Sequence, residues 1–474
     1  MRVLLVEPPK EFWFLMGEYL PPPFGLLQLA AYLAREETDV EVQVLDCQAQ
    51  GLDWDGLRRE LEAFQPDVVG SSGLATCNAF IAARTLELAK NVDPKVVTVV
   101  GGQHFTATAE ESLERYPEVD VIVHGEGEET LRQVVRALKG RKPLAGVEGI
   151  SFRNGDAIVH NPSRPLIEDL DALPFPGYWF VEDLIDRYHF TMMAGRGVRY
   201  ALVEGSRGCA YHCSFCTQWR FWQGRWRMKS PGRIADEMEF CHREYGSQFL
   251  WLTDDNLGLG PRASKLCDEI IQRGLGDEIT WFMQARCDDV AKHTGLLPKL
   301  HKAGNRWMLL GVESGSKDTL KAFNKSARPE DARTAVKALK MNDVFAQATL
   351  IIGERRDTAQ SMAQLREFVN DLDADLPIFM ILTPFPGSEL YENAKSNGWI
   401  EDWNWANYDM VHAVMPTEAL SRAEVQEELY ECYRTYYGSW ARRLRGLFSP
   451  NKLVRTTYRY LAKQNLLAQL RGIV

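Results

Sequence analysis

The residues best suited to chemistry are three cysteines in a short loop. Cys209, Cys213 and Cys216 follow Gly208 at the spacing C-x3-C-x2-C. Thiolates are soft ligands that bind zinc or iron–sulfur clusters. A structural zinc site takes four ligands, usually as paired C-x2-C motifs, and the sequence has no second such pair. His212 could be a fourth ligand, but as the neighbour of Cys213 it would strain a tetrahedral site. Three thiolates suit a [4Fe–4S] cluster whose fourth iron binds a small molecule, so the pattern favours a reactive cluster, with zinc and structural cysteines as alternatives.

The cysteine spacing resembles the signature of a known enzyme family. C-x3-C-x-aromatic-C, with Phe215 at the aromatic position, is similar to the motif of radical S-adenosylmethionine (SAM) enzymes. The resemblance implies that Cys209, Cys213 and Cys216 bind the cluster and that its open iron chelates SAM. It also implies that one electron from the cluster cleaves SAM to methionine and a 5′-deoxyadenosyl radical, while the protein orients the cofactor and excludes water.

Length and composition limit the remaining classes of protein. The chain has 474 residues, of which 45% are hydrophobic and 25% charged, enough for roughly two or three globular domains. The net charge of −10 argues against a general role on nucleic acid. The sequence runs at once into the strand-like Val3–Val6, which predicts no targeting signal, and no apolar stretch is long enough to span a membrane. Nine cysteines then suggest a reducing cytoplasm.

Short apolar runs alternate with helical patterns over residues 1–140. Strands are expected at Val3–Val6, Val40–Leu45, Val68–Ser71, Val96–Val100 and Val121–His124, with helices between them. This alternation predicts a doubly wound parallel sheet with helices on both faces. In such a sheet a ligand binds at the carboxyl ends of the strands.

The residues at those strand ends are small and polar, and they permit close approach of a ligand. Asp46, Gln48 and Gly51 lie in one loop; Ser71 and Ser72, and then Gly101 and Gly102, end the following strands. The loop resembles the D-x-H-x-x-G loop of cobalamin-binding domains, and the layout resembles the cobalamin domain that precedes many radical SAM cores. The resemblance implies that these seven residues contact cobalamin. A flavodoxin-like sheet without a cofactor is the alternative.

Gln48 stands where the related domains have a histidine. An amide is a far poorer ligand for cobalt than an imidazole. We therefore expect no protein histidine on the lower face of the cofactor, a state that suits methyl transfer or electron handling.

Residues 141–199 read as a linker with a small hairpin, and residues 200–400 as a second set of strand–helix units. Six such units predict an open (β/α)6 barrel of the TIM type with its chemistry at the carboxyl rim. Resemblance to the family assigns SAM contacts to rim positions: Phe215, Asp254, Gln284, Arg286, Glu313, Ser314 and Gly353. Asp254 is also a candidate helix cap.

Residues 401–474 are expected to be helical and end in a basic segment. From Tyr436 onward the sequence has eight Arg and Lys and no acid. Because the net charge of the whole chain is −10, the residues before Tyr436 carry a net charge of −18. A basic amphipathic end lies on an anionic surface, such as the inner face of a membrane, or packs back on the barrel. The sequence leaves both open.

Together these features predict a cobalamin-dependent radical SAM enzyme that methylates an unactivated carbon of a hydrophobic small molecule. Oxidative cyclisation or rearrangement without methyl transfer, as in the anaerobic magnesium-protoporphyrin monomethyl ester cyclase, is the alternative chemistry. An empty first domain, a zinc scaffold or an iron–sulfur redox sensor are the remaining alternatives. The expected partners are the substrate and an electron donor such as flavodoxin or ferredoxin.

Overall fold

The structure is a computed structural model that describes residues 1–9, 19–73 and 75–470, with side chains as far as 464. Arg471, the last basic residue of the expected basic segment, lies outside these ranges. The strands are β1 (Arg2–Glu7), β2 (Tyr19–Leu20), β3 (Glu41–Asp46), β4 (Val68–Ser72), β5 (Val97–Gly101), β6 (Val121–Val123), β7 (Ile150–Asn154), β8 (Ala157–His160), β9 (His189–Phe190), β10 (Tyr200–Val203), β11 (Ser206–Arg207), β12 (Arg227–Met228), β13 (Phe249–Leu252), β14 (Thr280–Arg286), β15 (Asn305–Glu313), β16 (Phe345–Ile352) and β17 (Leu376–Ile381).

The helices follow most of these strands, as the alternation of patterns predicts. They are α1 (Phe24–Glu36), α2 (Cys47–Gln50), α3 (Trp54–Phe64), α4 (Ala79–Val92), α5 (Gln103–Ala107), α6 (Ala109–Arg115), α7 (Glu128–Lys139), α8 (Thr191–Ala194), α9 (Gln218–Phe221), α10 (Pro231–Tyr245), α11 (Pro261–Gln272), α12 (Cys287–Lys292), α13 (Leu297–Lys302), α14 (Lys317–Ala322), α15 (Pro329–Met341), α16 (Ala359–Leu372), α17 (Glu389–Ser396), α18 (Arg422–Tyr437), α19 (Trp440–Leu447) and α20 (Lys452–Leu470).

The first sheet has the strand order β3-β1-β4-β5-β6-β7-β8. The first five of these are parallel, and β7 and β8 add to the edge as an antiparallel hairpin. That hairpin was expected within the linker, and its pairing with β6 makes it part of the first sheet. The doubly wound α/β sheet is confirmed, and its parallel strands carry their ends to one edge.

The second sheet is an open parallel barrel with the order β10-β13-β14-β15-β16-β17. Every neighbouring pair in it is parallel, and within the described residues β17 does not pair with β10. The predicted six-unit barrel is therefore confirmed. Its core is apolar and large, and Trp281 and Trp307 are fully buried in it.

The C-terminal helices close the end of the barrel at which the strands begin. Val454 and Tyr458 of α20 join a buried cluster with residues that start barrel strands, among them Tyr200, Phe249 and Phe345. The basic end therefore packs on the barrel, which is one of the two arrangements that the sequence left open. In the described part of the chain, no helix combines the length and apolar character required to cross a bilayer.

Candidate active site

The cysteine loop is an excursion between two short antiparallel strands. β11 pairs with β12 through Ser206 with Met228 and Arg207 with Arg227. Gly208 opens the loop with a φ of +87°, and a Cβ there would collide with the carbonyl oxygen of Arg225. Only glycine combines this left-handed backbone with so close an approach, so Gly208 determines how the chain turns toward its cysteines.

Two barrel segments hold the loop by its backbone. The amide of Ser214 donates to the carbonyl oxygen of Phe323 at 3.0 Å, and the Leu390 amide donates to the Ser214 carbonyl oxygen at 2.9 Å. The side chain of Asn324 donates to the His212 carbonyl oxygen at 2.6 Å. The Phe215 ring lies 5.0 Å from the Phe323 ring. Phe215 therefore anchors the loop to the residues that follow α14, a role consistent with its place in the motif.

The three thiols lie together, half-buried, near two cations. Burial raises the pKa of each thiol, to about 12 for Cys216. Lys325 and Arg286 oppose that rise at Cys213. Buried positive charge beside the thiols suits an anionic cluster of thiolates, so the residues fit a [4Fe–4S] cluster.

Metal-ligand geometry also bears on the zinc alternative. Throughout the ranges that the structure describes, no three His, Cys, Asp or Glu side chains converge on one point as the ligands of a single ion do. A zinc ion needs such convergence. A cluster takes each thiolate on a different iron, so its ligands do not have to converge on one point.

Alanine at position 208 tests the geometry of the loop. We expect Gly208→Ala to lose most of its iron, because the left-handed backbone costs about 1–3 kcal/mol for a non-glycine residue and the new Cβ displaces the Arg225 carbonyl. The measurement is iron and acid-labile sulfide after anaerobic reconstitution. Gly232→Ala is the control, since a Cβ there meets nothing within 4 Å. A fully loaded Gly208→Ala protein would contradict this role.

Arg286 leaves the end of β14 and faces the cysteine loop. Its guanidinium lies 3.7 Å from the centre of the Tyr211 ring, donates to Asp288 at 2.9 Å and to Ser326 at 3.1 Å. It also opposes the rise in the pKa of Cys213. A buried, fully engaged arginine beside the loop is placed to hold a carboxylate or to balance the charge of the cluster.

Glu313 ends β15 in a backbone conformation that few non-glycine residues adopt. Its φ is +64°, and the register with β16 shifts between Gly311 and Glu313. Its carboxylate accepts from Lys325 at 2.7 Å, and both side chains are less than one-tenth exposed. A Cβ on Gly311 would come within 2.9 Å of both side-chain ends. Strain that surrounding contacts maintain is typical of functional sites.

The two aspartates after β13 have different surroundings. Asp254 is fully buried, and its carboxylate accepts from the Gly205 amide at 2.9 Å and from the Ser206 hydroxyl. Asp255 lies near Cys209 and Cys216, whose pKa values it raises. Burial, and then the charge of Asp254, raise the pKa of Asp255 itself to about 7. Asp254 supports the backbone, whereas Asp255, the next residue of the same strand end, faces the cysteines.

The other predicted SAM positions line the same rim. Gln284 is half-buried on β14, and the buried Ser314 hydroxyl accepts from the Ser316 amide at 3.1 Å. Gly353 has a φ of +83°, and its amide donates to Asp357 at 3.0 Å. That aspartate also accepts from the Glu354 amide at 2.9 Å, and it thereby fixes the loop after β16.

A cavity lies at the carboxyl edge of the first sheet. About 490 Å³ of space, part of it open to solvent, is enclosed by apolar side chains and by glycine and serine backbone. Four predicted cobalamin residues line it, together with three glycines that were not in the predicted set; in chain order they are Gly70, Ser71, Ser72, Gly101, Gly102, Gly125 and Gly127. A Cβ at Gly102 would come within 3.0 Å of the Gly73 backbone. A slot of bare backbone and leucines fits a flat aromatic group, as in the nucleotide tail of cobalamin.

The other three predicted residues lie in the neighbouring loop and do not line that cavity. Asp46 is fully buried, caps α2 at the Ala49 amide and accepts from the Tyr188 hydroxyl at 3.1 Å. Burial raises the pKa of Asp46 to about 6. Gly51 ends α2 with a φ of +69°. The Gln48 amide donates to Glu7 at 3.1 Å.

The histidines of the first 140 residues are already engaged. Both ring nitrogens of His104 lie 3.3 Å from hydroxyl oxygens, of Thr76 and Thr108. His124 is hydrogen-bonded to Ser151 at 2.7 Å. Burial lowers the pKa of His104 to about 3 and that of His124 to about 4. The expectation, from Gln48, that no histidine coordinates cobalt stays a prediction.

A side-chain bridge joins the edge of the first sheet to the cysteine loop. Gln103, directly after Gly102, donates to Gln218 at 2.9 Å and accepts from Thr217 at 3.2 Å. The Gln218 side chain also accepts from Trp222 at 2.8 Å. Because Thr217 and Gln218 follow Cys216, the cavity edge and the cysteines are connected directly. Neither glutamine is recognisable as a site residue in the sequence.

Buried ion pairs join the same two units below the loop. Arg207 pairs with Glu126 at 2.7 Å, Glu128 at 2.6 Å and Glu204 at 2.9 Å, and Arg227 pairs with Glu126 at 3.0 Å. Arg220 and Arg225, which also follow the cysteines in sequence, face Glu392 and Glu168. The arginines near the loop thus have carboxylate partners within the protein.

Sequence comparison agrees with this two-part site. The B12 binding domain family matches residues 17–135, and the radical SAM superfamily matches residues 203–369. An uncharacterized methyltransferase of Pyrococcus horikoshii is 32% identical over 443 residues, which is 92% of each chain. The chain belongs to the cobalamin-dependent radical SAM enzymes.

Other members of this group are similar over most of their length. An anaerobic magnesium-protoporphyrin IX monomethyl ester cyclase of Rubrivivax gelatinosus is 31% identical and is matched over 92% of this chain and 77% of that one. The solved structure of OxsB, a cobalamin-dependent SAM radical enzyme with aqua-cobalamin and SAM bound, has the same fold, with a TM-score of 0.74 at 18% identity over 99% of this chain and 72% of that one. This member of the group is accordingly an enzyme whose cofactors are a [4Fe–4S] cluster, SAM and cobalamin.

Proposed function

We propose that this cobalamin-dependent radical SAM enzyme methylates a carbon atom of a hydrophobic small molecule. The observation that carries the proposal is the Gln103 bridge to Thr217 and Gln218. It brings the cavity edge of the first sheet against the cysteine loop, so that cobalamin and the cluster face one shared space. Transfer of a methyl group between cofactor and substrate requires that proximity.

When bound, the cluster and SAM generate the 5′-deoxyadenosyl radical and cobalamin delivers the methyl group. Cys209, Cys213 and Cys216 hold the cluster. Arg286 and Glu313 bind the amino-acid or ribose end of SAM, and Gln284, Ser314 and Gly353 line its pocket. Phe215 and Asp254 act indirectly: Phe215 maintains the shape of the cysteine loop, and Asp254 maintains the shape of the backbone at the end of β13.

On the cobalamin side, the protein supplies backbone, not a metal ligand. Ser71, Ser72, Gly101 and Gly102 form the slot for the nucleotide tail, and the loop of Asp46, Gln48 and Gly51 adjoins it. The two histidines of this region are held by hydroxyl groups. If cobalamin binds here, we expect no protein histidine to coordinate its cobalt, a state that suits methyl transfer.

Aromatic side chains on the cysteine loop support a hydrophobic substrate. Tyr211, Trp219 and Trp222 are half-buried there, and the Trp219 ring stacks on His212 with centres 4.8 Å apart. Aromatic walls with few polar groups bind planar or apolar ligands.

We also propose the boundaries and partners that the sequence predicts. The domains are residues 1–140 for cobalamin, 141–199 for the linker, whose hairpin extends the first sheet, 200–400 for the radical SAM core and 401–474 for the C-terminal region. A flavodoxin or ferredoxin supplies electrons, and no nucleic acid is bound. The protein works in the reducing cytoplasm, and peripheral contact with the inner face of the membrane depends on its C-terminal helices.

Oxidative cyclisation without methyl transfer is the second candidate, because a cyclase is among the relatives matched over nine-tenths of the chain. Reconstituted protein with cobalamin, SAM carrying a deuterated methyl group, a strong reductant and an apolar surrogate substrate distinguishes the two. 5′-Deoxyadenosine, S-adenosylhomocysteine and deuterium in the product support methyl transfer. Deoxyadenosine with an altered but unlabelled product supports cyclisation, and absence of deoxyadenosine from cluster-loaded protein contradicts both.

The buried pair of Glu313 and Lys325 gives a separate prediction for SAM binding. We expect Glu313→Gln to weaken SAM binding roughly ten- to hundredfold, because a charged hydrogen bond contributes about 1.5–3 kcal/mol. Equilibrium dialysis with cluster-loaded protein measures the affinity. Glu330→Gln is the control, since Glu330 is exposed on α15 and pairs with the exposed Lys317 at 3.6 Å. Equal affinities for the two variants would remove Glu313 from the SAM site.

A further inference from the structure

The C-terminal region leaves a row of large apolar side chains in solvent. Trp440, Leu444 and Phe448 are 74%, 52% and 78% exposed. Residues four apart lie above one another on a helix, so the three form one stripe along α19 and its end. Single exposed apolar residues are ordinary, whereas a contiguous row indicates a contact surface.

The stripe is not the face by which α19 packs on the protein. Gly446 is buried, and a Cβ there would collide with the Tyr458 ring of α20. At about 100° per residue, Gly446 lies on the side of the helix away from the stripe. The helix is therefore attached by its other side, and the stripe is left exposed by the residues that the structure describes.

The surroundings of the stripe are basic. Arg443 and Arg445 flank it on either side by helical angle, and the Arg443 guanidinium lies 5.5 Å from the Trp440 ring. Lys452, at the start of α20, is exposed, and the described residues contain no ion pair to it. Asp373, an acid that α19 contacts, is paired with Lys340 at 2.9 Å and Arg445 at 3.4 Å.

This surface lies at the end of the barrel opposite the cysteine loop. Arg442 donates to Asn370 at 3.0 Å, and Asn451 donates to Asp343 at 2.7 Å. Asn370 and Asp343 precede the starts of β17 and β16, whereas the cysteines lie at the ends of barrel strands. Contact through α19 leaves the active site facing water.

We propose that α19 docks on an anionic lipid membrane. Trp440, Leu444 and Phe448 enter the interfacial region, and Arg443, Arg445 and Lys452 face lipid phosphates. Aromatic and leucine side chains beside arginines are the composition of helices that lie in a membrane interface. A symmetric contact with a second copy would bring the same arginines together, so charge favours lipid. The inference rests on the proposed peripheral location, not on the proposed chemistry.

Vesicle flotation of the full-length protein tests this docking. The probes are vesicles of phosphatidylcholine alone and of phosphatidylcholine with an equal part of phosphatidylglycerol. We expect the protein to float with the anionic vesicles and not with the neutral ones. The triple variant W440S/L444S/F448S should lose binding roughly tenfold or more, and R443Q/R445Q/K452Q should lose it to a similar extent. Trp403→Ser, which changes a half-exposed tryptophan outside α19, should bind as the native protein does.

Two further measurements keep the outcomes distinct. Thermal unfolding establishes that each variant is folded, and 5′-deoxyadenosine formation should be unchanged in all of them, because α19 is at the opposite end from the cysteines. Failure to float, or equal flotation of the triple variant, overturns the docking. A dimer in light scattering that the triple variant abolishes, without vesicle binding, assigns the stripe to a second copy and also overturns it. Absence of deoxyadenosine from every protein would instead contradict the proposed function.

Discussion

Cys213→Ala should yield a folded protein that makes no 5′-deoxyadenosine. Cys213 is the cysteine whose pKa Lys325 and Arg286 both lower against the effect of burial. Its removal deletes one of three proposed cluster ligands and leaves two buried cations beside the gap. Without that thiolate the cluster has no stable third attachment, and cleavage of SAM depends on the cluster.

The measurements are iron content, the visible absorbance of the cluster and deoxyadenosine under reducing conditions. We expect iron to fall to a small fraction of the native amount and deoxyadenosine to fall below detection. Cys432→Ala on α18 is the matched control, because Cys432 is equally a free cysteine but is buried in the core away from the loop. It should keep its iron. Deoxyadenosine from Cys213→Ala would show that the proposed ligand set is wrong.

Arg207→Met should destabilise the protein by about 3–5 kcal/mol, the usual cost of removing one partner from a buried ion pair. Arg207 is 4% exposed and faces three carboxylates, of which Glu126 and Glu128 belong to the first sheet's side of the interface. Burial opposes ionisation of Glu128, but Arg207 outweighs it and lowers the pKa of that carboxyl. Without the arginine, these glutamates must remain charged in an apolar surrounding or take up protons.

Urea unfolding monitored by circular dichroism measures this loss. Arg225→Met is the control: Arg225 pairs with Glu168 at 2.8 Å, but both side chains are more than half exposed, and such pairs contribute about 0–1 kcal/mol. Adding Glu128→Gln to Arg207→Met should recover part of the stability, since it removes one unpaired charge. Equal midpoints for the Arg207 and Arg225 variants would contradict the assigned importance of the buried network.

The sequence by itself determined both sheets and the cluster motif. Alternating runs such as Val68–Ser71 and Val121–His124 can be buried only as parallel strands covered by helices, so local pattern was sufficient. The spacing of Cys209, Cys213 and Cys216 specified its metal chemistry because those ligands are close in the chain. Glycines and serines at strand ends could be located in the same way, since parallel strands end at a common edge.

Tertiary structure alone decided which side chains meet across that edge. Lys325 reaches Glu313 from a loop after α14, and Gln103 reaches Gln218 from the other sheet, 115 positions away in sequence. Neither Lys325 nor Gln103 lies in a motif. A single lysine or glutamine in a loop carries no pattern from which its partner can be inferred. Which of the two aspartates, Asp254 or Asp255, faces the cysteines likewise depends on the direction of each side chain. Local periodicity records which face of an element is buried, whereas contacts between distant elements arise only when the whole chain packs.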